Sequence, residues 1–365
     1  MTGREMGGAG RQQRRVTLED VAREAGVSIA SASRALHGTR NGARPPSAAT
    51  IKRVQAVAKM LGYTRDQMAS GLRRRQSHLL GVLVPRLSDV VIATIYDGIE
   101  AAAETAGYRA LVSNTHDDPV EQAILAQIML DHRVDALIIG DAYSDGQFIE
   151  ELEKRGVPFV LVNRRAGTHT AATCDDLDGG RIVADHLRER GHVDVALLAG
   201  EPRASTGRER TQGFLERWNE YGLSVRDDWV IQGPFHIHGG RDAGRSSMEQ
   251  VLARPGPPPT AVFAVSDIAA LGAIDAIHAN SNLRVGQDIA IVGFHDIPLA
   301  ADLPVPLTTV ASPTFEMGVA SVQLLMQILD GGHPGSRLLP GRLIVRESSS
   351  FRQGGRANTG SAHET

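Results

Sequence analysis

The stretch that decides the reading is Val16-Thr-Leu-Glu-Asp-Val-Ala-Arg-Glu-Ala-Gly-Val-Ser-Ile-Ala-Ser-Ala-Ser-Arg-Ala-Leu36. Thr17, followed three residues later by Asp20, sets a hydroxyl and a carboxylate where they satisfy the free amides of a helix start, so a first helix is expected from Leu18 to Ala25. Gly26 breaks it. Ser28 can cap a second short helix, Ile29 to Leu36, in which Ala30, Ser31, Ala32, Ser33 and Ala35 are small and Arg34 is long and charged. Two short helices joined through Gly26-Val-Ser28 form a helix-turn-helix.

Working outward, a loop rich in Gly, Arg and Pro runs from His37 to Pro46. Beyond it Ile51, Val54, Val57, Ala58 and Leu61 share one face of a helix closed by Gly62. Residues 16–63 therefore read as a small all-α head of three helices. Residues 1–15 form a polar lead expected to be disordered. Residues 64–77 read as a short helix and linker, polar except for Met68, Ala69 and Leu72, which share one face of a helix too short to be stable alone.

Charge separates the same regions. Residues 1–77 carry 15 Lys and Arg against 5 Asp and Glu, whereas residues 78–365 carry 24 against 37. A basic segment followed by an acidic remainder suits a chain whose N-terminal part meets a polyanion, since Lys and Arg supply the sequence-independent affinity for phosphates. An anionic membrane surface would be met by the same charge. Cys174 is the single cysteine, so no intrachain disulfide is expected and a reducing compartment fits. The opening residues lack the apolar run of a signal peptide, and no stretch is long and apolar enough to span a bilayer.

From His78 the pattern changes to short apolar runs alternating with amphipathic helices. The runs are Leu79–Val84, Ala110–Ser113, Ala136–Gly140, Phe159–Val162, Val195–Ala199, Ala261–Val265 and Ile289–Gly293. Strand and helix in alternation imply parallel sheets with helices on both faces. Residues 78–352 are too many for one compact sheet, so a two-lobed α/β domain is expected. Its lobes are expected to join through Asn163 to Asp178 and again near Leu303 to Thr309, where Pro304 and Pro306 fall close together. Residues 353–365 read as a disordered tail.

The helix-turn-helix stretch resembles the head of the lactose and purine repressor family. The resemblance continues through Thr50-Ile-Lys-Arg-Val54, Leu61-Gly-Tyr63, Ala69-Ser-Gly-Leu-Arg73, Asp178-Gly-Gly180, Arg208-Glu-Arg-Thr-Gln-Gly-Phe214, Ser266-Asp267, Val292-Gly-Phe294 and Arg346-Glu-Ser348. It covers nearly the whole chain from Val16. It implies a periplasmic-binding-protein-like domain behind the head and a homodimeric, cytoplasmic and nucleoid-associated regulator, expected to act as a repressor. Its partners would be double-stranded operator DNA and a small polar effector: a sugar, sugar derivative or nucleoside.

The second helix suits a major groove, because small residues let its backbone approach while a long cation reaches the O6 and N7 atoms of guanine. By position Ile29, Ala30 and Arg34 are the base-reading candidates, with a solvated charge as the other reading of Arg34. The resemblance places Thr17, Ser28, Ser31 and Ser33 at phosphates. Ser28 as a plain cap and Ala32 and Leu36 as packing residues are the structural alternatives. The Met68, Ala69 and Leu72 segment resembles the family's hinge helix, with Leu72 as the wedge into the minor groove. The proline usual before that helix is replaced by Thr64-Arg65.

In the large domain the resemblance implies an effector cleft lined by Asn163, Arg208, Phe235 and Ser266. Arg208 can equally pair with a neighbouring Glu, Phe235 can be core, and Asp267 can cap the helix that follows it. His295 departs from the usual pattern of the family, a Gly-aromatic-Asp-Asp sequence with an acidic residue there, where this chain reads Gly293-Phe-His-Asp296. Imidazole donates as well as accepts, which favours a ligand with a carbonyl, carboxylate or phosphate oxygen. No cofactor, catalytic residue or metal site is expected. No phosphate-binding glycine loop, Gly-x-Ser-x-Gly elbow or His-Glu-x-x-His pair is present. An exported sugar-binding protein would share the two-lobed domain but has no use for a basic helix-turn-helix.

Overall fold

The computed structural model describes residues 16–37, 46–63, 76–144, 146–234 and 240–350. The chain divides into two compact units, Met1–Ser77 and His78–Thr365. Met68, Ala69, Leu72 and Phe235 lie outside the described residues.

In the first unit α1 (Leu18–Glu24), α2 (Ile29–His37) and α3 (Ala48–Leu61) enclose Val21, Ala22, Ala25, Ala32, Ala35, Val54 and Ala58. This core is mostly alanine, so the helices approach closely while burying little area per side chain. Thr17 and Asp20 form the reciprocal cap at the start of α1: the Asp20 N–H donates to Thr17 Oγ1 at 3.3 Å, and the Thr17 N–H donates to Asp20 Oδ2 at 3.0 Å. Gly62 ends α3 at φ 69°, a left-handed conformation that glycine adopts without a Cβ clash.

The second unit holds two six-stranded sheets. The first contains β1 (Leu79–Val84), β2 (Arg109–Asn114), β3 (Ala136–Ile139), β4 (Phe159–Val162), β5 (Ala171–Cys174) and β11 (Arg337–Leu339). Its order is β11-β5-β4-β3-β1-β2, parallel throughout. The second contains β6 (Val195–Gly200), β7 (Val230–Gly233), β8 (Ala261–Ala264), β9 (Ala290–His295), β10 (Thr308–Ala311) and β12 (Arg342–Ile344), in the order β12-β10-β9-β8-β6-β7. Its pairs are parallel except for antiparallel β12 at the edge. Alternate residues of β1 enter different cores, Leu80, Val82 and Val84 on one face and Leu83 on the other, the arrangement of a strand covered on both sides.

The covering helices are α4 (Val90–Thr105), α5 (Pro119–Asp131), α6 (Gln147–Lys154), α7 (Asp176–Glu189), α8 (Ser205–Glu220), α9 (Gly240–Leu252), α10 (Asp267–Asn280) and α11 (Thr314–Leu329). Six of them pack in pairs, α4 with α11, α7 with α8 and α9 with α10. Each pair crosses backbone to backbone at facing glycines. At the α7–α8 crossing a Cβ on Gly213 would lie 1.9 Å from the Leu177 carbonyl oxygen, and one on Gly180 would lie 2.2 Å from that of Arg210. Among the described residues no helix is long and apolar enough to cross a membrane.

The lobes join at three places rather than two. The stretch from Asn163 to Asp178 contains β5, so the first passage narrows to Asp175, between β5 and α7. The proline-containing stretch from Leu303 to Thr309 stays in the second lobe and leads into β10. The chain passes back at Ser312-Pro313, then a third time at Pro340-Gly341 between β11 and β12. Proline stands both at the approach to β10, an interior strand, and at two of the three passages, Pro313 and Pro340.

Candidate functional site

On the head, Ser28, Ile29 and Ala30 are exposed, Ile29 by 51%, while Ala32 and Ala35 face the core. Ser28 caps α2, accepting the Ser31 N–H at 3.2 Å and donating to Ser31 Oγ at 2.9 Å. Arg34 is half-buried, with Nη2 donating to Ser31 Oγ at 3.3 Å. The outward face thus groups Ile29, Ala30, Ser33 and Arg34, with Ser28 and Ser31 at the positive end of the helix dipole.

In the large unit the carboxyl ends of the strands of both sheets define the cleft between the lobes, the place where open α/β sheets bind ligands. Among the described residues, five of the seven non-glycine residues with positive φ follow or close these strands. They are His116 and Asp117 after β2, Asn163 after β4, and His295 and Asp296 at β9. Such conformations cost energy and gather where a site must be held in one geometry.

The first lobe ends in buried polar pairs. Arg164, 2% exposed, donates to both oxygens of Asp117 at 2.6 and 3.3 Å. Asp141 accepts from Gln122 Nε2 at 2.7 Å and from the Thr115 hydroxyl, and burial pushes its carboxyl above the usual range. Tyr143 lies beneath the Arg164 guanidinium, 5.1 Å from its ring centroid, and burial raises its phenol to about 12.

The second lobe presents Arg210. Its Nε donates to Asp176 Oδ1 at 2.7 Å, its Nη1 donates to the Val265 carbonyl at 2.8 Å, and its guanidinium lies 3.8 Å from the centre of the Phe294 ring. Both members of the ion pair are buried, Arg210 3% and Asp176 2% exposed, and burial lifts the Asp176 carboxyl to about 6 despite the cation. Ser266, not Asp267, caps α10, accepting the Ala269 N–H at 3.2 Å. Asp267 ties the strand ends together, accepting from Thr309 Oγ1 at 2.6 Å and from the Ile297 N–H at 2.9 Å. Burial raises its carboxyl to about 7.

Of the residues singled out from sequence, Asn163, Ser266 and His295 all stand at strand ends bordering the cleft. The His295 ring meets Phe294 edge-on at 5.5 Å. Arg208 is placed differently: it is part-exposed, donating to the Pro202 carbonyl at 3.2 Å and to Glu209 at 3.4 Å. Arg210 was missed although it shares the same motif. Helical spacing distinguishes the two, because Arg210, Phe214 and Trp218 recur every four residues on the buried face of α8 while Arg208 falls on the other side.

A helix-turn-helix head followed by a two-lobed α/β unit with a polar cleft defines a DNA-binding regulator with a ligand-binding domain. Residues 17–66 match the model of bacterial regulatory proteins of the lacI family, and residues 184–349 match a periplasmic binding protein-like domain. The chain is 32% identical over 346 residues to the HTH-type transcriptional repressor CytR of Escherichia coli (strain K12), covering 93% of this chain and 98% of the relative. It is 31% identical to the repressor PurR of Serratia proteamaculans, covering 91% and 96%. Among solved structures it is similar to the Lac repressor dimer bound to operator and the anti-inducer ONPF, with a TM-score of 0.80, 28% identity and coverage of 92% and 99%. It is also similar to the transcriptional regulator CelR in complex with cellobiose, with a TM-score of 0.70, 29% identity and coverage of 92% and 100%. The chain belongs to the lacI family of bacterial regulatory proteins, and it is a DNA-binding transcription regulator rather than an enzyme.

Proposed function

We propose that this regulator is a repressor that binds a pseudo-palindromic operator as a homodimer and exchanges operator affinity against a small polar effector held between its lobes. One short helix reads few bases, and a two-fold dimer doubles that number. Ile29, Ala30 and Arg34 read base edges, Thr17, Ser28, Ser31 and Ser33 meet phosphates, and Met68, Ala69 and Leu72 supply the hinge and its wedge. The protein works in the cytoplasm at the nucleoid.

Dimerisation falls to the first lobe. The apolar residues Val91, Ile92, Ile95, Ile99 and Ala103 of α4 are consumed by the lobe's own core, whereas Val120, Ile124 and Ile128 form an exposed stripe on α5. That stripe, with exposed Leu111 on the edge strand β2, supports α5 as the surface that meets the second copy.

The observation that carries the effector reading is Arg210, a buried guanidinium clamped by Asp176, the Val265 carbonyl and the Phe294 ring at the strand ends. Such an arrangement fixes a planar donor, stacked on a buried ring, which suits a polyhydroxylated ligand or one with an oxyanion. Asn163, Ser266 and His295 border it. Thermal-shift screening of the full chain against sugars, sugar phosphates, polyols and nucleosides, then calorimetry on hits with His295→Ala and Arg210→Met, tests this. A ligand whose affinity in both variants is unaltered from that of the parent would sink the assignment of the cleft.

A further inference from the structure

The two lobes touch across the cleft through a set of contacts that no core requires. Loops after β3 and β4 in the first lobe meet the turn that opens α8 in the second. The Arg165 guanidinium pairs with Glu209 Oε2, and the Arg165 N–H donates to Ser205 Oγ at 2.8 Å. Ser144 donates its N–H and its hydroxyl to the Arg203 carbonyl, each at 3.1 Å. The Arg203 guanidinium lies 4.3 Å from the centre of the Tyr143 ring, so it faces the first lobe as well.

Glu209 is the pivot of this rim. Its side chain is 11% exposed, and its other oxygen, Oε1, lies 3.4 Å from Arg208 Nη2 on the same helix. Arg208 therefore holds the carboxylate from one side while Arg165 reaches it from the opposite lobe. Each cross-lobe contact exists only when the lobes are together. Separating them takes Arg165 away from Glu209 but admits water to both, so the two states stay close in energy and the balance responds to salt.

We propose that Arg165 and Glu209, with Arg208 as support, form an electrostatic clasp that sets the closed fraction of the effector domain without touching the effector. The clasp rests on the reading of the two-lobed unit as an effector domain that opens and closes. It divides the work of the two arginines on α8: Arg210 is built into the second lobe, whereas Arg208 acts through Glu209 on the first. Effector affinity is scaled by the population of the competent state, so Arg165 and Glu209 are positioning residues for binding.

The test reads the lobes directly. Spin labels on Lys154→Cys in the first lobe and Arg284→Cys in the second, both at exposed positions, report their separation by pulsed electron resonance. Cys174 is buried. The full chain is used without added ligand and mixed with excess unlabelled chain, so that distances arise within one subunit. Raising salt from about 0.05 to about 0.5 M should move the population of the unsubstituted clasp toward longer distances. Arg165→Ala should lower the closed-to-open ratio roughly threefold to tenfold at low salt and remove most of the salt response. The exchange Arg165→Glu with Glu209→Arg should restore the short distance. Identical distances in Arg165→Ala and the parent, or an exchange that stays as open as the single variant, would overturn the clasp. A screen that yields no ligand would instead overturn the effector reading and leave these distances as they are.

Discussion

Replacing Arg210 by Met keeps the length and apolar volume of the side chain on α8 but removes the cation nearest to Asp176. With Arg210 present, burial already holds the Asp176 carboxyl at about 6, against an ordinary value of 3.8. A carboxyl whose folded-state pKa exceeds its unfolded one binds more protons in the folded chain, so this pair contributes a stability that declines as pH rises from about 4 to about 6. Without the cation the protonated form persists further, as buried carboxyls lacking a partner reach about 8–9. Below about pH 6 both proteins carry Asp176 protonated and differ only by lost contacts. These are the hydrogen bonds to the Val265 carbonyl and to Asp176, about 1 kcal/mol each, and the cation over Phe294, about 1–2 kcal/mol. Above pH 6 the variant loses a further 1.4 kcal/mol or so per pH unit, so the gap widens by about 1 kcal/mol at pH 7 and about 3 kcal/mol at pH 8. The sum at pH 7, about 4–5 kcal/mol, falls within the usual cost of breaking a buried ion pair. Trp218 and Trp229 are both buried and report unfolding by fluorescence in denaturant titrations at about pH 5.5 and pH 8. Adding Asp176→Asn to Arg210→Met should abolish the widening. A destabilisation that is equal at both pH values, or that Asp176→Asn leaves unchanged in its pH dependence, would refute the reasoning.

Gly213→Ala should cost about 3 kcal/mol, because its Cβ would sit 1.9 Å from the Leu177 carbonyl and the α7–α8 crossing has no side chain to move aside; an unshifted denaturation midpoint would contradict this. His186 and His192 are held by burial at about 4, below their ordinary 6.5, so the unfolded chain binds more protons between these values. Stability should fall by up to about 3 kcal/mol per histidine as pH drops from 6.5 through 4, and His186→Asn with His192→Asn should flatten that limb in pH-dependent melting. Ile124→Glu on the exposed stripe of α5 should weaken the dimer at least roughly 100-fold, since a two-fold interface loses two buried apolar side chains, and sedimentation velocity would read a monomer. Arg34→Ala should cost about 1–3 kcal/mol in operator binding and relax the preference at one base pair per half-site; selection from random DNA that returns the same consensus would confine Arg34 to phosphate.

What the chain discloses by itself is what is coded within a few residues. The reciprocal cap of Thr17 and Asp20, the break at Gly26 and the left-handed end at Gly62 depend on backbone groups close in sequence, and the head followed from them. The long buried strands were equally legible, because six consecutive apolar residues such as Val195 to Gly200 have few other uses. Four-residue strands rich in branched or aromatic residues, such as β4, were legible too, whereas β5 was not. In β5 the sequence Ala-Ala-Thr-Cys has neither alternation nor bulk, and it is a strand because β4 and β11 lie on either side of it. The passages between lobes at Asp175, Ser312-Pro313 and Pro340-Gly341 carry no common composition, since what defines them is the sheet to which the flanking strands belong. Among polar residues the same division holds. Sequence singled out the motif containing Arg208 and Arg210, and helical phase separates them, but the partners of each lie far along the chain: Asp176 and the Val265 carbonyl for Arg210, and Arg165 across the cleft for the carboxylate that Arg208 supports. A guanidinium becomes a buried clamp or a rim support according to the charge and burial it meets, and those are set by contacts between residues tens of positions apart, which only the packed lobes bring together.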